Sequence, residues 1–328
     1  MILGIGRAAG KVILFGEHAV VYGRPALAVP VTQVQAEARV EPAAAGTGIT
    51  ICAADLGEEI ALGRAAADHP LALAVRLALA HLRGEEVGPR EPDWRITVCS
   101  TIPIASGLGS GAAVSTALVR GVAAALKQQE AAAGRPAPVL SAATVSALVY
   151  ETEKLHHGTP SGIDNTVIAY GQPVYFVRGR PAEPFAIGRP FTLVIADTGI
   201  RSPTRITVGD VRRAWEREPA RYEALFDRIA ALVEQARTAI ADGEPARLGP
   251  LMDQNHALLS EIGVSCAELD VLIAAARAAG ALGAKLSGGG RGGNMIALAT
   301  EKNAARVAEA LIAAGATRTI VTEVAPIP

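Results

Sequence analysis

A glycine-rich stretch between a predicted strand and a predicted helix has the composition of a phosphate-binding loop. Residues 103–113 read Pro-Ile-Ala-Ser-Gly-Leu-Gly-Ser-Gly-Ala-Ala. Glycines allow backbone N–H groups to approach an anion, and the N-terminus of the following helix adds partial positive charge. The stretch therefore suits a polyphosphate, although an ordinary tight turn between a strand and a helix shows the same pattern.

A second stretch carries carboxylates at the end of a predicted helix and in the loop that follows. Residues 151–165 read Glu-Thr-Glu-Lys-Leu-His-His-Gly-Thr-Pro-Ser-Gly-Ile-Asp-Asn. One carboxylate could hold Mg²⁺, which prefers oxygen ligands, and another could accept a proton from an attacking alcohol. A solvated helix end with a capping Asp fits the same residues. The adjacent His156 and His157 face apart on a helix, so they are a poor metal-binding pair.

A third stretch is almost entirely glycine. Between Gly288 and Gly293 the only other residue is Arg291. Ordering such a run costs much conformational entropy, which a structural turn does not require but a backbone held close to a ligand does. Arg291 adds a permanent cation to this loop, so the stretch favours a functional role.

Two well-known nucleotide motifs are excluded by residue type. A Walker loop needs Lys followed by Ser or Thr after its last glycine, whereas Gly111 is followed by alanines. Gly107-x-Gly109-x-x-Ala112 resembles a dinucleotide fingerprint, but Glu130, at the required distance, lies at the end of an Ala-rich helix instead of a strand. This disfavours a nicotinamide-dependent oxidoreductase.

The elements that must position these stretches are both strands and helices. The predicted strands cover residues 11–16, 29–40, 95–100, 173–177, 191–196 and 318–324, and a further strand is predicted between residues 293 and 301. The predicted helices cover 71–82, 112–127, 141–156, 205–215, 221–242, 248–261, 267–279 and 301–314. Residues 157–164 are predicted as loop. A Pro/Gly-rich stretch at 179–190 is the candidate boundary between an N-terminal domain, 1–183, and a C-terminal domain, 184–328, in an α+β chain.

Composition restricts the classes of partner. The 328 residues are 50% apolar but only 4% aromatic, and 31 basic residues balance 32 acidic ones. Without a basic face, binding to nucleic acid is not expected. The three cysteines are far apart and lack metal spacing, and no apolar run approaches the roughly 20 residues that span a bilayer. We therefore expect a cytoplasmic protein without membrane attachment.

Together with an N-terminal stretch, these motifs resemble the GHMP kinases, which include galactokinase, homoserine kinase, mevalonate kinase and phosphomevalonate kinase. Residues 10–23 read Gly-Lys-Val-Ile-Leu-Phe-Gly-Glu-His-Ala-Val-Val-Tyr-Gly. This stretch and residues 157–165 are most similar to the mevalonate kinases. The resemblance implies an N-terminal domain like the second domain of ribosomal protein S5 and a ferredoxin-like C-terminal domain, with ATP and mevalonate meeting in the cleft between them. It also makes a homodimer the expected assembly.

The resemblance also implies a role for individual residues in the phosphorylation of mevalonate to 5-phosphomevalonate. Asp164 would be the catalytic base, with Lys11 beside it and beside the transferred phosphoryl group. Glu153 and Ser110 would hold Mg²⁺, and Glu17, His18 and Thr204 would lie near the substrate. Support for the phosphate loop would come from Gly288, Gly289, Gly290, Arg291 and Gly292. ATP would be bound by Pro103, Ile104, Ala105, Ser106, Gly107, Leu108, Gly109, Ser110, Gly111, Ala112 and Ala113.

Two positions depart from the family pattern. The family usually has a second Ser directly after Gly-Leu-Gly-Ser, often a Mg²⁺ ligand, and here that residue is Gly111. Ser110 or water would have to replace it. Arg291 stands where the third motif usually has a glycine, and it could reach a phosphate or an acidic inhibitor.

Two other interpretations stay open from the sequence. Another GHMP kinase, acting on phosphomevalonate or a sugar, would share the fold, but a phosphorylated substrate should demand more cations than Arg291 alone. A catalytically inactive ligand sensor of the same fold should have lost Lys11, Glu153 or Asp164, and all three are present.

Overall fold

A computed structural model describes residues 1–83, 92–104, 106–136, 139–157 and 160–326 of the chain. Within this part, the chain forms two compact units that interleave along the sequence. Unit 1 comprises residues 1–10, 34–104 and 109–171, and unit 2 comprises 11–33, 105–108 and 172–328. Strands β1 (Gly4–Phe15) and β2 (Ala26–Pro42) each contribute residues to both units.

Unit 1 combines sheet strands with a cluster of helices. Its further elements are β3 (Ile49–Ala53), β4 (Glu58–Ala61), α1 (Pro70–Arg83), β5 (Trp94–Ser100), α2 (Ser110–Ala132), α3 (Ala142–His157) and α4 (Ile163–Tyr170). The C-terminal part of β2 pairs antiparallel with β5, β5 pairs parallel with β3, and β3 pairs antiparallel with β4. The four helices pack on one another, and α2 also packs on β5.

Small residues allow β1 to lie directly on α2. A Cβ atom at Gly6 would overlap the carbonyl oxygen of Ala117, and a Cβ at Gly4 would come within 2.6 Å of the Gly121 carbonyl oxygen. Side chains larger than hydrogen would therefore push the strand away from the helix. These N-terminal glycines serve packing within unit 1.

Unit 2 contains a four-stranded antiparallel sheet in the order β11-β8-β10-β9. Its elements beyond β1 and β2 are β6 (Val174–Phe176), β7 (Glu183–Pro184), β8 (Phe191–Asp197), α5 (Thr204–Arg217), α6 (Pro219–Ala241), α7 (Leu248–Ile262), α8 (Ala267–Ala278), β9 (Gly283–Ser287), β10 (Asn294–Ala299), α9 (Ala304–Ala313) and β11 (Arg318–Val324). Helices α7, α8 and α9 pack against this sheet, and α6 packs on α7. The first residues of β2 pair with β6, which pairs with β7.

The predicted α+β class is confirmed, and several elements differ from the sequence-based prediction: β3 and β4 were not predicted, and β1 begins at Gly4 instead of residue 11. Residues 163 and 164 were expected in a loop, but they open the helix α4, which has left-handed Gly162 and Gly171 at its ends. Residues 283–287, which precede the third glycine stretch, form the buried strand β9. The boundary between an N-terminal domain, 1–183, and a C-terminal domain, 184–328, stays a prediction.

None of the helices in the described ranges is both long and apolar enough to cross a membrane.

Candidate active site

In unit 1, the carboxylates of the second motif lie on two packed helices. Glu153 is on the last turns of α3 with 3% of its surface exposed, whereas Glu151 is exposed and pairs with Lys154 at 2.7 Å. Asp164 is half-buried in the first turn of α4. A carboxylate is favourable at a helix N-terminus, because the helix dipole and free N–H groups stabilise its negative charge. The two predicted carboxylates thus belong to one structural unit.

Buried hydrogen bonds hold the helices that carry these carboxylates. Thr152, adjacent to Glu153, donates its hydroxyl to Ser115 Oγ on α2 at 3.1 Å. Asn165, adjacent to Asp164, donates from Nδ2 to the Ser146 carbonyl oxygen at 3.0 Å and to Ser146 Oγ at 2.9 Å. Glu153 and Asp164 therefore each have a sequence neighbour whose side chain is hydrogen-bonded to another helix.

The N-terminal end of α2 also lies in unit 1. Gly109 precedes the helix with φ +75°, and the Ala113 N–H donates to the Gly109 carbonyl at 2.9 Å. Ser110 is the first helical residue and is half-buried. Such an N-terminus offers N–H groups and a partial positive charge to a phosphate. Ala105, also predicted to bind ATP, lies outside the described residues, as do Gly158 and Thr159 of the second motif.

In unit 2, three of the four sequence motifs meet through hydrogen bonds. The backbone N–H of Lys11 donates to the Leu108 carbonyl at 3.0 Å, so β1 runs beside the glycine loop. Asn294 Nδ2 donates to the Ser106 carbonyl at 2.5 Å. Lys11 is 2% exposed. The N-terminal motif, residues 106–108 and the third glycine stretch therefore form one assembly.

The predicted substrate residues Glu17, His18 and Thr204 are brought together around the third glycine stretch. His18 Nε2 lies 3.1 Å from the Gly289 carbonyl oxygen, which only accepts, so Nε2 carries the hydrogen. A Cβ at Gly289 would lie 2.8 Å from Thr204 Oγ1, so this glycine lets α5 begin close to the loop. Burial lowers the pKa of His18 to about 4.

Glu17 forms a buried ion pair that the sequence did not indicate. Its carboxylate pairs with Lys285 Nζ on β9, and the two side chains are 1% and 0% exposed. Burial raises the pKa of Glu17 and lowers the pKa of Lys285, and the attraction between the two charges opposes both shifts. Lys285 lies three residues before Gly288, the first glycine of the third stretch, but its partner could only be identified in three dimensions.

Arg291 is engaged by protein groups. Its guanidinium pairs with Asp210 on α5, and its backbone N–H donates to the Val264 carbonyl at 2.8 Å. The ion pair lowers the pKa of Asp210. Arg291 has φ +55°, a conformation that is easy for glycine and uncommon for other residues. Its side chain thus ties the glycine stretch to α5.

The donor groups in unit 1 suit a magnesium ion. A carboxylate from Glu153 and a hydroxyl from Ser110 are hard oxygen ligands of the kind that Mg²⁺ binds. Over the described ranges, no three His, Cys, Asp or Glu side chains form a group able to hold a metal by themselves. One carboxylate and one hydroxyl suit Mg²⁺, which is commonly bound by one or two carboxylates together with substrate phosphates.

Comparison with known proteins identifies the class to which this architecture belongs. Residues 71–172 match the N-terminal domain model of the GHMP kinases, and residues 236–317 match the C-terminal model. The chain therefore belongs to the GHMP kinases, which use ATP as phosphate donor. The predicted fold class is confirmed by this match.

Within the family, relatives that are about 35% identical over nearly the whole chain are mevalonate kinases. The Pyrococcus furiosus mevalonate kinase is 36% identical, over 98% of this chain and 96% of the relative. The crystal structure of L. major mevalonate kinase in complex with R-mevalonate is 31% identical, with a TM-score of 0.79 and coverage of 98% and 96%. A Streptococcus pneumoniae phosphomevalonate kinase shares the fold, with a TM-score of 0.75 at 15% identity over 97% of this chain and 99% of the other.

Proposed function

We propose that this protein transfers the terminal phosphoryl group of ATP to mevalonate and releases 5-phosphomevalonate. Its full-length similarity to mevalonate kinases supports the choice of substrate. This reaction would place the protein in isoprenoid biosynthesis.

The observation that carries the proposal is the convergence of motifs in unit 2. The backbone of Lys11, a buried lysine, is hydrogen-bonded to Leu108 of the glycine loop. Gly289 of the third glycine stretch contacts His18 and lies close to Thr204. Phosphoryl transfer depends on positioning and charge neutralisation more than on covalent help. A lysine beside a phosphate loop, with substrate residues on the same assembly, meets that need.

Asp164 is the proposed base that accepts the proton of the attacking hydroxyl. Its place in the first turn of α4, held by Asn165, supports a fixed orientation. Lys11 is proposed to favour the ionised form of this carboxylate and to stabilise negative charge on the transferring group. The glycine loop, residues 103–113, is proposed to bind the phosphates through backbone N–H groups.

Glu153 and Ser110 are the residues proposed to hold Mg²⁺. When bound, the ion would neutralise phosphate charge and help to orient the nucleotide. Gly111 supplies no side-chain oxygen, so fewer protein ligands are available than in the usual family pattern.

Glu17, His18 and Thr204 are proposed to contact mevalonate, and Gly288, Gly289, Gly290, Arg291 and Gly292 are proposed to support the phosphate loop. Because the Arg291 guanidinium is paired with Asp210, it is poorly placed to serve as the extra cation that a phosphorylated substrate would need. This contact favours mevalonate over phosphomevalonate. A homodimer, the assembly common in the family, is also proposed.

A substrate panel tests the proposal. ATP consumption is measured with Mg²⁺ and mevalonate, phosphomevalonate, homoserine or galactose, and the product is identified by ³¹P NMR. We expect turnover with mevalonate to exceed the others by orders of magnitude. Turnover of phosphomevalonate or galactose without turnover of mevalonate would identify a different GHMP kinase, and ligand binding without any turnover would identify a sensor.

A further inference from the structure

Lys285 is a fully buried charge in a strand whose other residues are buried and uncharged. Its neighbours on β9, Ala284 and Leu286, are buried, and its partner across the antiparallel pair is Ile296. Lys285 Nζ pairs with Glu17 and donates to the Leu286 carbonyl oxygen at 2.7 Å. All of these residues belong to unit 2.

Stability alone does not explain this ion pair. Removing two charges from water costs several kcal/mol per ion by order of magnitude, roughly what their attraction returns. Well-packed apolar residues of similar volume often serve a protein interior as well or better. A lysine at this position therefore points to a requirement on the orientation of Glu17.

The segment that begins at Glu17 is held in place by several hydrogen bonds. His18 adopts φ +60° and ψ −50°, an unfavourable conformation for a residue other than glycine. His18 Nε2 donates to the Gly289 carbonyl, and Ser287 Oγ donates to the Ile13 carbonyl at 2.9 Å. The end of β9 and the glycine stretch thus hold the chain on both sides of Glu17. Such strain persists where surrounding contacts over-determine it, often at ligand sites.

One oxygen of Glu17 keeps its capacity to accept a hydrogen bond. Oε1 is used by Lys285, whereas Oε2 is buried without a hydrogen-bond partner among the described residues. The charge of Lys11 also acts on Glu17, in the direction that lowers its pKa. A buried carboxylate oxygen of this kind is suited to a donor from a ligand, such as a hydroxyl.

We propose that Lys285 is a positioning residue for the alcohol substrate: by holding Oε1 of Glu17, it orients Oε2 toward a substrate hydroxyl and fixes the turn at His18. This proposal rests on the proposed function, in which Glu17 and His18 contact mevalonate. Lys285 itself does not touch the substrate.

Lys285→Met tests the proposal when substrate binding is measured separately from catalysis. The dissociation constants of mevalonate and of an ATP analogue are measured by calorimetry, together with kcat and both KM values. We expect mevalonate affinity to fall about 10- to 100-fold, the scale for removing a residue that orients a binding group without touching the ligand, and ATP-analogue affinity to stay within about twofold. Lys285→Arg should recover part of the lost affinity, because it restores the charge.

Arg277→Met is the matched control. Arg277 pairs with Asp253 at 2.6 Å, and Asp253 accepts the backbone N–H of Ala284, one residue before Lys285 on β9. The control removes an ion pair near the same strand without touching a proposed site residue, so both affinities should stay near wild type. Equal losses of both affinities in Lys285→Met, or an unchanged mevalonate affinity, would overturn the proposal.

The double variant Glu17→Gln/Lys285→Met covers the case in which Lys285→Met alone does not fold, because it removes both charges of the buried pair. If Lys285 acts only through Glu17, the double variant should bind mevalonate as weakly as Glu17→Gln alone. A double variant that binds at least about fivefold more weakly would show another route of action and overturn the proposal. Wild-type protein that does not bind mevalonate would instead contradict the proposed function.

Discussion

At the residue scale, His18 is a buried imidazole that should make stability depend on pH. Its pKa is lowered from 6.5 to about 4, first by burial and also by the charge of Arg291, while the bond to Gly289 opposes the shift. Between these two values the unfolded chain binds a proton that the folded chain does not. The stabilising contribution is therefore present above pH 6.5 and is lost as the pH falls toward 4.

We expect the unfolding free energy to fall by about 2 kcal/mol between pH 7 and pH 5 through His18 alone, since one pKa unit corresponds to about 1.4 kcal/mol. Urea titrations at a series of pH values measure this slope. His18→Asn should reduce the change of unfolding free energy with pH, and asparagine tolerates the positive φ at this position. The change that remains would come from His256, because burial lowers the pKa of His256 as well. A slope unaffected by the substitution would contradict the assignment.

Gly111 is a second residue whose chemistry can be tested alone. Replacing it with Ser restores a hydroxyl at the second residue of α2. We expect Gly111→Ser to bind Mn²⁺, used as a probe for Mg²⁺, more tightly in the presence of an ATP analogue, as measured by electron paramagnetic resonance. Gly111→Ala is the control, because it also raises helix propensity above that of glycine but adds no oxygen. Equal affinities in the two variants would exclude a role for the hydroxyl.

At the element scale, long periodic segments were predictable and short ones were not. Helices such as α6 and α7 follow the predicted ranges closely because their apolar positions repeat over several turns. Helix α4 has only eight residues between two left-handed glycines, so the preceding Pro and Gly dominated the sequence signal. Strand β9 was missed because its Lys and Ser interrupt a five-residue apolar pattern, although the fold buries both.

The link between α3 and α4 is expected to affect both stability and rate. Asn165→Ala removes the Nδ2 donor to Ser146 and should cost about 1–3 kcal/mol of unfolding free energy. Because Asn165 adjoins Asp164, we also expect kcat to fall roughly 10- to 100-fold from misplacement of the base. Thermal unfolding and steady-state kinetics provide the two measurements.

Ser141→Ala, which removes the capping hydroxyl just before α3, is the control. Ser141 Oγ accepts the backbone N–H of Thr144 at 3.0 Å, at the opposite end of α3 from Glu153. Its loss should cost about 1 kcal/mol in stability and leave kcat near wild type. If Asn165→Ala behaves in the same way, the link serves stability alone.

At the scale of the whole molecule, the order of motifs along the chain does not follow the compact units. Unit 2 takes up residues 11–33 and 105–108, so the N-terminal motif and part of the phosphate loop join the third glycine stretch. The second motif belongs to unit 1 with the start of α2. From the sequence we could identify the candidate site residues and the chemistry that suits them. The sequence could not predict this grouping or the Glu17–Lys285 pair, because both depend on contacts between residues distant in sequence.

The most direct test of the account is a single-turnover measurement of phosphoryl transfer from γ-labelled ATP to mevalonate, by wild-type protein and Asp164→Asn. We predict that wild type labels mevalonate and that the variant binds ATP with unchanged affinity but transfers roughly 10²–10⁴-fold more slowly, the scale for losing a general base. Equal transfer rates in the two proteins would contradict the assignment of the base, and no transfer by wild type would contradict the proposed reaction.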